Sequence, residues 1–173
     1  MRLFKKRPEQ EAGKRLYAAC VVQARRPDLY ADLRTPDTVE GRFEQYTLHV
    51  ILLLDRLVRQ GPEAGEVSQG LFDAYIRSLD DALREMGVGD LSVGKKMRKL
   101  GEALYGRLRS YEAAFEGASE ADGLEAILAR TVYEGLEAPP VSELAAYVHA
   151  QRSHLARLPL EGLLDGQVDW SAK

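Results

Sequence analysis

The chain has 173 residues, 45% of them apolar and 29% charged, with 24 lysines and arginines against 27 aspartates and glutamates. That length supports one domain with a real hydrophobic core, and the composition excludes disordered, collagen-like and low-complexity classes. The most apolar runs, residues 16–22 and 50–54, fall far short of the ~20 residues of a membrane-spanning helix, and a net charge of -3 argues against nucleic acid as primary ligand.

Helical periodicity dominates and strand alternation is nearly absent. Residues 10–24 carry one apolar stripe (Leu16, Tyr17, Cys20, Val21, Ala24), ended by Pro27. A second helix is expected to start at Thr38, an N-cap residue, and to stop at Gly61-Pro62. Its middle, residues 50–54, is apolar on every face, so it is either central to the bundle or turned toward a partner. The third helix spans residues 63–86, with Gly87 suited to a left-handed C-cap. The fourth carries Val93, Met97, Leu100, Leu104, Leu108, Tyr111 and Phe115 at steps of 4, 3, 4, 4, 3 and 4. After a break at residues 117–123 come a fifth helix over 124–133 and a sixth over 141–158, separated by Pro139-Pro140. The expectation is an all-α, single-domain bundle of five to seven helices over residues 10–158, with a basic N-terminal tail (1–9) and a C-terminal tail (159–173).

Charge is unevenly distributed. Residues 63–90 hold seven acids against two bases, and residues 91–111 hold six bases against one acid. Asp73 with Arg77, and Asp80 with Arg84, have the i,i+4 spacing that supports a helix, whereas Asp81 and Glu85 are like charges at that spacing. A surplus of carboxylate near a helix C-terminus is locally unfavourable. It is either neutralised by Lys95 and Lys96 or part of a surface built to engage something.

Templates for chemistry fit poorly. Residues 89–95 match the phosphate-loop pattern G-x-x-x-x-G-K, but Lys96 stands where the magnesium-binding hydroxyl belongs, and the preceding segment reads as helix rather than strand. A helix-hairpin turn capped by Asp90 or Ser92 is the better reading. None of His49, His149 and His154 has a glutamate three residues before it, so the di-iron bundle pattern is missing. His49, on the most apolar helix, reads as a hydrogen-bonded core residue, or else as a buried switch or haem ligand. The single cysteine, Cys20, allows no internal disulfide and fits a reducing compartment. No catalytic residue, metal site, cofactor or small-molecule substrate is assigned. A haem-handling or hydrolytic protein using His49 with Asp73 or Asp80 is one alternative, and a scaffold bundle dimeric through the fourth helix is another.

The remaining reading is an interaction protein, and here the sequence resembles a known family. The matching residues are Pro36-Asp37-Thr38, Gly41-Arg42-Phe43-Glu44, Leu48-His49-Val50, Leu71-Phe72-Asp73, and the block from Asp80 through Leu83-Arg84-Glu85-Met86-Gly87-Val88-Gly89-Asp90-Leu91 to Val93-Gly94-Lys95-Lys96. Tyr105-Gly106-Arg107 and Tyr111 complete the match, which spans about residues 16–133. These resemble the ubiquinol–cytochrome c chaperones, assembly factors of the cytochrome bc complex (respiratory complex III). The resemblance implies an all-α, non-enzymatic protein that holds newly made cytochrome b. In the mitochondrial members it does so with a small partner protein at the ribosome. It also implies a cytoplasmic bacterial protein peripheral to the inner membrane. The partner-binding residues expected on that basis are Arg42, Phe43, His49, Asp73, Asp80, Arg84, Glu85, Asp90, Lys95 and Lys96, rimming an apolar groove on the second or fourth helix. The basic start (Arg2, Lys5, Lys6, Arg7, with Leu3 and Phe4) reads as a lipid contact or as a solvated terminus.

Overall fold

The computed structural model describes residues 8–117 and 123–170. The basic start and the middle of the break after Gly117 lie outside them. In chain order the described residues form α1 (Pro8–Ala24), α2 (Pro27–Ala31), α3 (Val39–Leu57), α4 (Pro62–Glu85), α5 (Asp90–Phe115), α6 (Leu124–Arg130), α7 (Val141–Arg157) and α8 (Leu160–Leu164). No strand occurs among them. The two helices beyond the expected set are α2 and α8, five residues each. Both form at a proline that the periodicity reads as a stop. Proline does end the preceding helix, but its fixed φ also suits the first turn of the next one.

The apolar run of α3 is settled by its position. Leu48, Val50, Ile51, Leu52 and Leu53 are all buried in the main core, so α3 is the central helix and leaves no surplus apolar face for a partner. Its start is fixed as expected, with the Gly41 N–H donating to the Thr38 hydroxyl at 3.1 Å. This satisfies one of the orphan donors of the first turn.

Helix α1 crosses α4 with backbone against backbone. A Cβ at Gly13 would sit 2.3 Å from the carbonyl carbon of Gly70, and one at Gly70 would sit 2.9 Å from Gln10 Cα. Only glycine at both positions permits this approach.

Helices α4 and α5 form a long hairpin. Ala64, Val67, Leu71 and Tyr75 from α4, with Leu104 and Tyr111 from α5, join the main core. Toward the turn, Leu83 and Val93 are buried but belong to no part of that core. The far half of the hairpin is therefore an arm that leaves the body of the bundle.

The segment expected as a C-terminal tail carries α8 and runs back over the bundle. Leu163 is buried, the Arg15 guanidinium donates to the Asp165 carbonyl at 2.7 and 3.1 Å, and the Trp170 ring meets His49 edge-on at 5.3 Å.

Candidate functional site

The tip of the arm is built from its turn outward. Gly87 takes φ +80°, a left-handed conformation that glycine adopts without steric cost. Around it the Gly87 N–H donates to the Arg84 carbonyl at 2.9 Å and the Val88 N–H to the Leu83 carbonyl at 3.0 Å, the paired bonds of a Schellman C-cap. Helix α5 then starts at Asp90 with Gly89 as its N-cap and no side-chain cap. Asp90 thus occupies the first turn, where its carboxylate faces the positive end of the helix dipole, and neither it nor Ser92 serves as the cap. The glycines of the apparent phosphate-loop pattern fall on this inter-helix turn and inside α5, without the strand such a loop must leave.

Arg84 organises the tip. Its guanidinium donates to the Asp80 carboxylate at 2.7 Å and to the Asp90 carboxylate at 2.5 Å, linking the last turn of α4 to the first of α5. These two hydrogen bonds hold the Arg84 pKa above its ordinary value. Glu85, Lys95 and Lys96 are exposed around this clamp. Met86 and Tyr105 are more than half exposed, and Leu91 is fully exposed.

The ten residues expected to bind a partner fall in four places. The tip gathers Asp80, Arg84, Glu85, Asp90, Lys95 and Lys96. Arg42 is exposed at the start of α3, donating to Asp37 at 2.6 Å. The half-buried Phe43 lies one residue further, its ring under the Arg107 guanidinium at 5.6 Å. Asp73 is exposed on α4 and accepts from Gln69 at 2.7 Å rather than from Arg77, because the glutamine one turn earlier reaches the same carboxylate. His49 is in the interior with no accessible surface.

Both His49 ring nitrogens are engaged. Nδ1 lies 2.7 Å from the Gln45 carbonyl and Nε2 lies 2.8 Å from the Tyr147 hydroxyl. A carbonyl only accepts, so Nδ1 carries the proton and Nε2 accepts from Tyr147, which in turn accepts from Gln23 at 3.0 Å. The neutral imidazole completes this chain of bonds. Burial moves the pKa of His49 from the ordinary 6.5 down to about 4. Asp73 and Asp80 are bonded to Gln69 and Arg84 rather than to His49. A pH dependence follows. The folded-state pKa lies below the unfolded value, so the unfolded chain takes up the proton first as pH falls. The His49 contribution is intact above pH 6.5 and is lost toward pH 4, at a cost of about 3 kcal/mol when complete. Urea unfolding across this range should show the loss, and His49→Gln should flatten it.

Two features of the motif block escape a reading by sequence. The first is that Leu91 and Tyr105, fourteen residues or about four turns apart, fall outside the buried stripe of α5 and face solvent. A helical wheel anchored on Val93 and Leu104 reveals this. The second is that Glu44 and Arg107 form a buried ion pair between α3 and α5, bonded at 2.7 Å through Nε and again through Nη2. No local signal pairs residues 63 positions apart. Among the described residues no cluster of three or more potential ligands can hold a metal ion, and no helix is long and apolar enough to cross a membrane.

A family model described as ubiquinol–cytochrome C chaperone matches residues 31–170, most of the chain and all of α3 to α8. The chain belongs to the ubiquinol–cytochrome c chaperone family. Relatives in this family include ubiquinol–cytochrome c reductase complex assembly factor 1 of Mus musculus, 27% identical over 162 residues, and that of Homo sapiens, 26% identical over 162 residues. Each comparison covers 92% of this chain and 54% of the relative, so the chain spans about half the length of these curated relatives. The crystal structure of the Cbp3 homolog from Brucella abortus is similar throughout, with TM-score 0.84 and 34% identity over 95% of this chain and 91% of that one. The chaperone-family motifs thus have structural counterparts here. Gly41 to Glu44 and Tyr105 to Arg107 contribute the ion pair that ties α3 to α5, and residues 80–96 build the tip of the arm.

Proposed function

We propose that this chain is a non-enzymatic assembly chaperone for the ubiquinol–cytochrome c reductase complex, and that it holds newly made cytochrome b against the α4–α5 arm at the cytoplasmic face of the inner membrane. The observation that carries this reading is the fully exposed Leu91, with Met86 and Tyr105 more than half exposed, on an arm that leaves the bundle. Exposed apolar side chains gathered in one patch mark a contact surface, and Met86 and Leu91 flank the turn at the tip of the arm. Charged side chains accompany them at the tip, with the Arg84 clamp and the exposed Lys95 and Lys96. Exposed apolar side chains beside charged ones suit a membrane-protein helix awaiting insertion, which docks by its greasy face and is kept in register by polar contacts. The family membership supplies the complex, since the mouse and human relatives are assembly factors for ubiquinol–cytochrome c reductase.

The test is capture of the tagged chain from ribosomes and membranes. Wild type should retain cytochrome b, and deletion of the gene should lower assembled, haem-containing complex while leaving other haem enzymes intact. Replacing Met86 and Leu91 with aspartate should cut recovery of cytochrome b about tenfold without loss of helical signal. So should alanine at Asp80, Arg84 and Asp90 together. Full recovery with these variants rules out the arm as the site, and normal complex levels without the gene rule out the function.

A further inference from the structure

Away from the arm, α3 and α7 run in the same direction, His49 meeting Tyr147 and Arg56 meeting the Leu155 carbonyl. Between their C-terminal halves opens a cleft of about 530 Å³, within the ~300–1,000 Å³ of small-ligand sites. Two arginines stand in its wall. Arg56 donates through Nε to the Leu155 carbonyl at 2.8 Å and through Nη2 to the Leu158 carbonyl at 3.0 Å, at the end of α7 where carbonyls lack helical partners. Arg152 donates through Nε and Nη2 to the Asp55 carboxylate at 2.7 and 3.4 Å. The Phe115 ring lies 4.5 Å from its guanidinium carbon.

Each guanidinium is thus fixed along one edge, and in each the Nη1 is bonded to nothing among the described residues. In Arg107, by contrast, all three nitrogens are bonded. Gln60, His149 and Ser153 are exposed on the walls of the same cleft. Asp55 is its only carboxylate and is already paired with Arg152, so the lining keeps one positive charge in excess.

We infer that this cleft binds a phosphate group, borne by a soluble phosphomonoester or by a lipid headgroup. Arginine suits phosphate because its planar fork offers several N–H donors to neighbouring oxygens. Two unengaged guanidinium ends, with the Gln60 amide and the Ser153 hydroxyl, match a group with three acceptor oxygens better than a carboxylate with two. The bonds that hold Arg56 and Arg152 are made within the chain, so their orientation is set before any ligand arrives, which lowers the ordering cost of binding. The site shares no residue with the arm and is independent of the client it serves.

The experiment uses the purified full chain and two probes. Glycerol phosphate is titrated calorimetrically, and vesicles of phosphatidylcholine with or without phosphatidic acid are tested by flotation. Binding of glycerol phosphate assigns a soluble phosphomonoester; binding to phosphatidic acid vesicles alone assigns the headgroup. Gln60 and Ser153 are exposed and their side chains carry no bond within the chain, so Gln60→Glu and Ser153→Glu should leave the helical signal unchanged. Each should weaken the bound probe at least about tenfold. Val39→Glu, at an exposed position at the opposite end of α3, should bind as wild type does. Binding of neither probe, equal weakening by Val39→Glu and Ser153→Glu, or acetate competing as well as inorganic phosphate would each overturn the assignment.

Discussion

Gly13→Ala should lower the stability of the protein by ~3 kcal/mol or more. The added methyl would stand 2.3 Å from the Gly70 carbonyl carbon and the Leu71 nitrogen, and 2.7 Å from Gly70 Cα. All three are backbone atoms, and none can rotate out of the way. The helices must separate instead, opening the layer in which Leu16 and Cys20 of α1 share the core with Val67 and Leu71 of α4. Overpacking a core ordinarily costs ~1–3 kcal/mol, and a clash with backbone belongs at the upper end or beyond. Urea unfolding should report it as a lower midpoint with an unchanged slope. Gly65→Ala is the control. It lies on the partner helix α4, in the same helix as Gly70, with nothing within 4 Å of the new methyl, so it should be neutral or stabilising by up to ~1 kcal/mol. Equal losses at both positions would show that the α1–α4 approach is looser than the structure has it.

Arg107→Ala should cost a similar amount by a different route. The Glu44 side chain is only 6% exposed and its partner Arg107 24%, so removing the guanidinium strands a carboxylate in the interior beside Phe43, whose ring loses the cation above it. Breaking a buried pair from one side costs ~3–5 kcal/mol. Burial of two charges is itself expensive, so the double replacement Glu44→Met/Arg107→Met should recover most of the loss. A double variant no better than the sum of the singles would mean that the pair is worth more than the apolar contacts replacing it.

The long helices were legible because each carries its own punctuation. Thr38 starts α3, Gly61-Pro62 separates it from α4, Gly87 ends α4, and Pro139-Pro140 precedes α7. Helices α2 and α8 were not, since five residues give no periodicity and their prolines read equally as ends. The charged block at residues 80–96 was recognisable as a site of interest, and Arg84 does draw together Asp80 and Asp90. His49 looked like a candidate because a polar residue on an apolar helix has the same appearance whether it faces a partner or a buried tyrosine. Only the three-dimensional fold brings Tyr147 to it across 98 positions. The glycines show the same limit. Gly13 and Gly94 are both mid-helix glycines, yet one is pressed against backbone and the other stands open.

The crossing at Gly70 has a mechanical consequence. Helix α4 is unbroken from Pro62 to Glu85, so Gly70 is the fulcrum of a rod whose end stands about 22 Å away at 1.5 Å per residue. With no side chains to cushion that pivot, a tilt of about 5° there swings the far end by about 2 Å over the same length. Load applied at the end is therefore delivered to the seam between Gly13 and Gly70, and slowed or quickened amide exchange around that seam gives a readout of what the lever is carrying.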